Sequence, residues 1–216
     1  MMKALMYKEF RLAWSPWLGL YLLFPLWLLF PFFPSFLPAV MLFMAVGSLS
    51  GVDKTNQDLA FTSLLPAPRA GVVLVRTLNI VTLQGVMLIV SGLIAVVGYG
   101  LKPSGTLVGM NANLACFGLI FIMLAVFNVI FLPGWYKRAY RLGPPLLGAS
   151  VVSLVFASVV STLMWRVPWL AERFNDRGLG HLGYQALLLA VGVVIYCAGT
   201  LGAYRKAVAN FDKVDL

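Results

Sequence analysis

Residues 111–133 read NANLACFGLIFIMLAVFNVIFLP, a run without a single charged side chain. A helix needs about 20 mostly apolar residues to cross the hydrocarbon core of a bilayer. In lipid, every backbone polar group has to be satisfied within the segment, which leaves helices rather than open strands. Five further stretches read the same way on either side: Trp17–Phe33, Phe36–Val52, Val73–Tyr99, Pro145–Trp165 and Leu182–Tyr204. None holds Asp, Glu, Lys or Arg in its central part. The expectation is an all-α integral membrane protein, a single domain over residues 1–216, with six transmembrane helices.

Composition agrees. The chain is 61% hydrophobic and 11% charged, whereas soluble domains carry about 25% charged residues. The net charge of +9 reads through the distribution of Lys and Arg around the spans rather than as affinity for nucleic acid. With the N-terminus in the cytoplasm, the inner segments hold Lys3, Lys8, Arg11, Lys54, Arg69, Arg76, Lys137, Arg138, Arg141, Arg205, Lys206 and Lys213. The outer segments hold only Lys102, Arg166, Arg173 and Arg177. Both termini are therefore expected in the cytoplasm, with the basic inner rim against anionic membrane lipids. Cys116 and Cys197 fall inside spans, without a CxxC pair, and read as small apolar packing residues.

The N-terminal segment, residues 1–14, places Met2, Met6, Phe10, Ala13 and Trp14 at helical spacing. An interfacial helix and a plain basic flank both fit it. Pro25 and Pro31 interrupt the first stretch, and Pro34 and Pro38 follow, so a kinked hairpin is expected there. Gly47 and Gly51 form a GxxxG that permits close helix contact. Ala149, Ser153, Ala157 and Ser161 make a stripe of small residues on one helix face. It serves either packing within the chain or a homodimer seam. The longest outer loop, residues 166–181, contains Gly178 and Gly180; with Gly183 they match GxGxxG literally. No strand precedes them, so they read as turn residues.

One inner segment, residues 53–69 (DKTNQDLAFTSLLPAPR), has an internal design of its own. Thr55 and Asp58 are spaced as a capping box, predicting a short helix from Thr55 that stops near Leu65, before Pro66 and Pro68. Leu59, Phe61, Leu64 and Leu65 make it apolar for a loop. Docking to a protein partner and lying on the membrane surface both account for that pattern.

Here a family resemblance enters. Asp53-Lys54, then Leu64-Leu65-Pro66-Ala67-Pro68-Arg69, then Val72-Val73-Leu74-Val75-Arg76 resembles the permease subunits of bacterial type-2 ABC transporters. In those, an acidic, polar loop leads through a Leu-Pro-x-x-Arg turn into an apolar–basic helix start. Ala67-Pro68 departs from the more polar pair usual there. The resemblance implies two permeases, as two copies or as paralogues, bound to two ATPase subunits in the cytoplasmic membrane. It implies that the loop after span two is a coupling helix in the ATPase cleft, carried by Asp53, Thr55, Asp58, Leu59, Phe61, Leu64, Leu65, Pro66 and Arg69. The stripe on span five becomes a candidate seam beside the partner permease.

Missing motifs narrow the mechanism. No GxxxxGK[ST] occurs, so ATP and Mg would be held by a separate polypeptide. No span carries a central ionisable group of the kind ion-coupled transporters use. His181 is the single histidine, without GxSxG or HExxH to serve, which weighs against a hydrolase. Polar residues within spans are few: Asn79, Thr82, Gln84, Asn128 and Gln185. Of these, Asn79, Gln84 and Asn128 stand as candidates for a translocation path, with hydrogen bonding between helices as the other use. The mostly apolar spans suit an amphipathic or lipophilic cargo such as a peptide, drug or lipid.

Overall fold

The computed structural model describes residues 6–7, 16–55, 68–101, 106–137 and 141–213. Its α-helices are α1 (Pro16–Tyr21), α2 (Leu37–Thr55), α3 (Arg69–Leu101), α4 (Leu114–Lys137), α5 (Gly143–Arg166), α6 (Pro168–Phe174) and α7 (Leu182–Phe211). Short 3-10 turns cover Phe24–Leu29 and Leu179–His181.

Four helices, α3, α4, α5 and α7, are long and apolar enough to cross a membrane. They run alternately up and down. One end of the bundle gathers Arg69, Lys137, Gly143 and Phe211; the other gathers Leu101, Leu114, Arg166 and Leu182.

The first stretch departs from the expected single kinked span. α1 ends at Tyr21, a turn follows, and Phe24–Leu29 winds as a 3-10 helix with Pro25 in its first turn. Pro25 has no N–H to donate, and a proline ring clashes with the carbonyl four residues earlier. The local bonds shorten accordingly: Leu26 N donates to Leu23 O and Phe30 N to Trp27 O, each at 3.0 Å. α2 covers nearly all of the expected second stretch as one continuous helix of 19 residues, with Pro38 in its first turn. It is the first stretch that Pro25 breaks into a short helix and a 3-10 limb. Its 3-10 limb leans on α3 where Gly98 gives room: a Cβ there would stand 3.5 Å from Leu28 O.

α4 is the central helix, enclosed along most of its length, while α5 and α7 turn much of their surface outward. Lipid tails are as apolar as leucine, so close packing and buried polar contacts hold such helices together instead of hydrophobic burial. The α4–α7 pair shows both. A Cβ on Gly118 would stand 2.6 Å from Leu188 O, and one on Gly192 would collide with Gly118 O. Backbone therefore meets backbone at this crossing. A ladder of rings continues through the core: Phe43 stacks on Phe127 at 4.5 Å between centroids, Phe127 on Phe131 at 5.3 Å, and Phe131 on Trp135 at 5.5 Å.

Of the GxxxG, Gly47 faces the start of α5, with Leu146 Cδ2 2.8 Å from a would-be Cβ, while Gly51 has nothing within 4 Å. In the N-terminal segment, Met6 and Tyr7 are helical, and Met6 packs on Val72 and Val75 of α3. The rest of residues 1–14 lies outside the described residues apart from these two.

Candidate functional site: the coupling junction and an apolar cleft

α2 continues through Thr55, so Asp53 and Thr55 belong to its last turn. The short helix expected from Thr55 onward lies outside the described residues. Asp58, Leu59, Phe61, Leu64, Leu65 and Pro66 lie outside the described residues. Arg69 is the first residue of α3, immediately after Pro68. Its guanidinium donates to Phe211 O at 3.2 Å and Asp212 O at 3.1 Å, and stands 5.7 Å over the Phe211 ring. These are the last carbonyls of α7, where a helix has unsatisfied acceptors and a negative dipole end, a favoured seat for a cation. The end of the 53–69 loop is thereby fastened to the far end of the chain's last helix.

One helical face further along, Arg76 is 1% exposed and stands 5.3 Å over the Trp135 ring of α4. Trp135, Tyr136 and Phe211 link the two arginine seats, with ring centroids 5.4 Å and 5.2 Å apart. Cation–π contacts gain strength when desolvated. In the sequence Arg76 is an inner-rim charge and the end of the family motif; its seven-residue spacing from Arg69 and the aromatics at 135 and 136 are the signal of this seat.

All three path candidates are buried within the bundle. Gln84 and Asn128 bond each other reciprocally: Gln84 Nε2 donates to Asn128 Oδ1 at 2.9 Å, and Asn128 Nδ2 to Gln84 Oε1 at 3.1 Å. Asn128 Nδ2 also reaches Thr200 Oγ1 at 3.0 Å, and Tyr196 OH donates to Gln84 Oε1 at 2.6 Å. Gln84 is 1% and Asn128 0% exposed. This is a polar clasp joining α3, α4 and α7. Buried amides in lipid are stable where each finds a partner, and helix-to-helix bonding is the use made of them here. Asn79 is also buried on α3. None of the three lines the cleft described next. Tyr196 and Thr200, four residues apart and so on one face of α7, complete the clasp and were not singled out from the sequence.

The small-residue stripe points inward. Ala149, Ser153 and Ala157 are buried, and Ser161 half-buried, while Val151, Val152, Leu154 and Val155 face outward. α5 packs this face on α4. Within this chain the stripe is covered from Ala149 to Ala157.

A cleft of about 890 Å³ opens between α3 and the halves of α4 and α7 nearer Leu114 and Leu182. Gly85, Ile89, Gly92, Val96 and Tyr99 line it from α3, and Phe117 and Leu189 are among those facing them. Arg177 stands at its mouth, 4.4 Å over the Tyr99 ring; Tyr99 OH donates to Arg177 O at 2.6 Å.

The loops around this mouth are laced together. Asn111 N donates to Asn175 Oδ1 at 2.6 Å, and Asn111 Nδ2 to Asn175 O at 2.9 Å. Asn113 caps α4 by accepting from Cys116 N at 2.9 Å, while its amide donates to Phe174 O at 2.7 Å. Gln185 Nε2 donates to Asp176 O at 2.8 Å. Gly178 N donates to Asp176 Oδ1 at 2.8 Å in a turn, whereas Gly183, also expected in a turn, lies in the first turn of α7, and His181 Nδ1 lies 3.1 Å from Asp176 Oδ2. The Gly178 N–H first, and His181 second, hold the Asp176 carboxyl below its usual range. His181 is thus a loop staple. Among the described residues no group of three or more His, Cys, Asp or Glu is placed to hold a metal. Cys116 is buried beside this region and Cys197 exposed on α7; both are free.

No curated protein and no solved structure matches the chain. The family model described as ABC-2 family transporter protein matches residues 4–203. A multi-pass helical bundle, with its clasped helices and lateral apolar cleft, is thereby placed: this chain belongs to the ABC-2 family of transporter membrane proteins.

Proposed function

We propose that this chain is the transmembrane subunit of an ATP-driven exporter and is moved by a separate ATPase that docks on the loop of residues 53–69. The observation that carries this reading is the seat of Arg69. A loop able to drive a bundle has to be fastened to more than its own helix. Arg69 ties the loop's last residue to the end of α7, and Arg76 bears on α4 one face along. A pull on the loop therefore acts on three helices that the Gln84–Asn128–Thr200 clasp already joins.

ATP and Mg are held by the partner ATPase on this reading. The permease works with a second copy or a paralogue, in the bacterial cytoplasmic membrane with both termini inside, as the basic residues favour. The cleft, lined almost wholly by apolar side chains, supports an amphipathic or lipophilic cargo. The test is co-reconstitution with the ATPase into vesicles and measurement of ATP-dependent export of an amphipathic fluorescent peptide. Export that is lost in Arg69→Ala, with ATP hydrolysis retained, supports the reading. Export undiminished in Arg69→Ala contradicts it.

A further inference from the structure

The cleft has a shape that packing alone does not explain. Gly85 and Gly92 lie on its α3 wall seven residues apart, on one face of the helix. A Cβ at either would meet nothing within 4 Å. These glycines are not there to let another helix approach, unlike Gly118 and Gly192. Glycine inside a helix costs about 1 kcal/mol relative to alanine, and what it secures here is open space in the wall.

The space is long and graded in polarity. From Gly85 to Tyr99 the helix rises about 21 Å, more than the ~15 Å depth of one leaflet's hydrocarbon. Ile89 and Val96 project from the wall between them, both strongly exposed. The deep end stops at Gly85, next to the Gln84 clasp. The opposite end carries a cation, Arg177, held over Tyr99. In the same 166–181 segment Arg173 lies 4.5 Å over Trp169 and 5.2 Å over Tyr184. Tyr and Trp with Arg mark the headgroup level of a bilayer. An apolar trough one leaflet deep, ending in a guanidinium at headgroup height, is complementary to one molecular class.

We infer that the cleft binds a phospholipid with an anionic headgroup, its acyl chain along Gly85–Val96 and its phosphate on Arg177. Guanidinium recognises phosphate through paired, charge-assisted hydrogen bonds. The inference deepens the cargo reading above and rests on it for the role of the cleft.

The test uses the full chain in mild detergent, stripped of co-purified lipid and titrated with phosphatidylglycerol or phosphatidylcholine of identical acyl chains, with native mass spectrometry as readout. Both lipids offer a phosphate, but the choline of phosphatidylcholine sets a cation against Arg177, so phosphatidylglycerol should bind about five-fold more tightly, the scale of one like-charge contact near water. Arg177→Gln should bring the two lipids to parity while retaining binding of the chain. Gly92→Trp, entering open space, should block both lipids, and Val152→Trp on the outer face of α5 should block neither. Gly92→Leu is the second cleft-filling variant if Gly92→Trp lowers the melting temperature. Equal binding of the two lipids to the wild type overturns the proposal. So does lipid binding that survives both Gly92 variants, or a wild-type dimer that those variants split, which would assign the cleft to a second copy. No ATPase is present, so failure here leaves ATP coupling standing, and failure of ATP coupling leaves the lipid titration intact.

Discussion

Replacing Gly118 by alanine puts a single methyl group into the α4–α7 crossing. Its Cβ would stand 2.6 Å from Leu188 O and 2.8 Å from both Leu188 C and Leu189 N. Ordinary contact begins at 3.4 Å, so α7 has to retreat by 3.4 − 2.6, about 0.8 Å. All three obstructing atoms are backbone, so no rotamer change relieves them. Overpacking of this kind costs about 1–3 kcal/mol. Alanine's better helix propensity returns about 1 kcal/mol. The net loss is therefore about 0–2 kcal/mol, with part of it passed to the clasp, where Asn128 and Thr200 are 3.0 Å apart. For a chain of this size that lowers the melting temperature by up to roughly 8 °C. The assay is thermal unfolding in detergent followed by circular dichroism, with Gly202→Ala as control. Gly202 is on the same helix α7, and a Cβ there meets nothing within 4 Å, so that variant should melt at or slightly above wild type. Gly118→Ala melting as high as Gly202→Ala would refute the backbone-contact reasoning.

Further outcomes follow from the same contacts. Asn128→Leu removes the centre of the clasp and strands the Gln84 amide; a loss of about 0.6–1.7 kcal/mol is expected by the same melt, the range found for hydrogen bonds between membrane helices. Arg69→Lys keeps the charge near the α7 carbonyls but loses the planar fork, so hydrogen exchange at Phe211 and Asp212 should rise modestly, and more in Arg69→Ala. For the outer loop, the Asp176 carboxyl is held below its usual range, so its tie to Gly178 and His181 is fully present above the ordinary carboxylate pKa of about 3.9. It is lost as pH falls through the lower folded value. Exchange of the 175–181 amides should accordingly be unchanged from pH 7 to 5 and speed up only below about pH 4, relative to the intrinsic rate; Asp176→Asn should show the fast behaviour at all pH values.

The helical, membrane-embedded character was legible because it depends on run length and the absence of charge, as in residues 111–133. The prolines marked the first stretch as kinked, but not that Pro25 would split it into a short helix and a 3-10 turn. The stripe at Ala149–Ser161 showed which face of α5 packs but not against what, since small residues suit a partner from the same chain or another equally well. Gln84 and Asn128 were visible as polar residues in spans; that they bond each other across 44 positions of sequence is tertiary information. Arg69 stood out only through the family pattern. Its grip on Phe211 and Asp212 joins residues 142 and 143 apart, which no local pattern encodes. The cleft depends on where three helices diverge, and Gly85 and Gly92 look, in the sequence alone, like any packing glycines.

The most direct measurement is co-purification, in mild detergent, of the tagged chain with the ABC ATPase encoded nearest to it, comparing wild type with Leu64→Asp/Leu65→Asp and assaying ATP hydrolysis in each. The proposed coupling requires an ATPase that stays bound to the wild type and is lost from the loop variant. A correctly inserted wild-type chain that retains no ATPase, or a loop variant that retains it fully, would contradict the central claim.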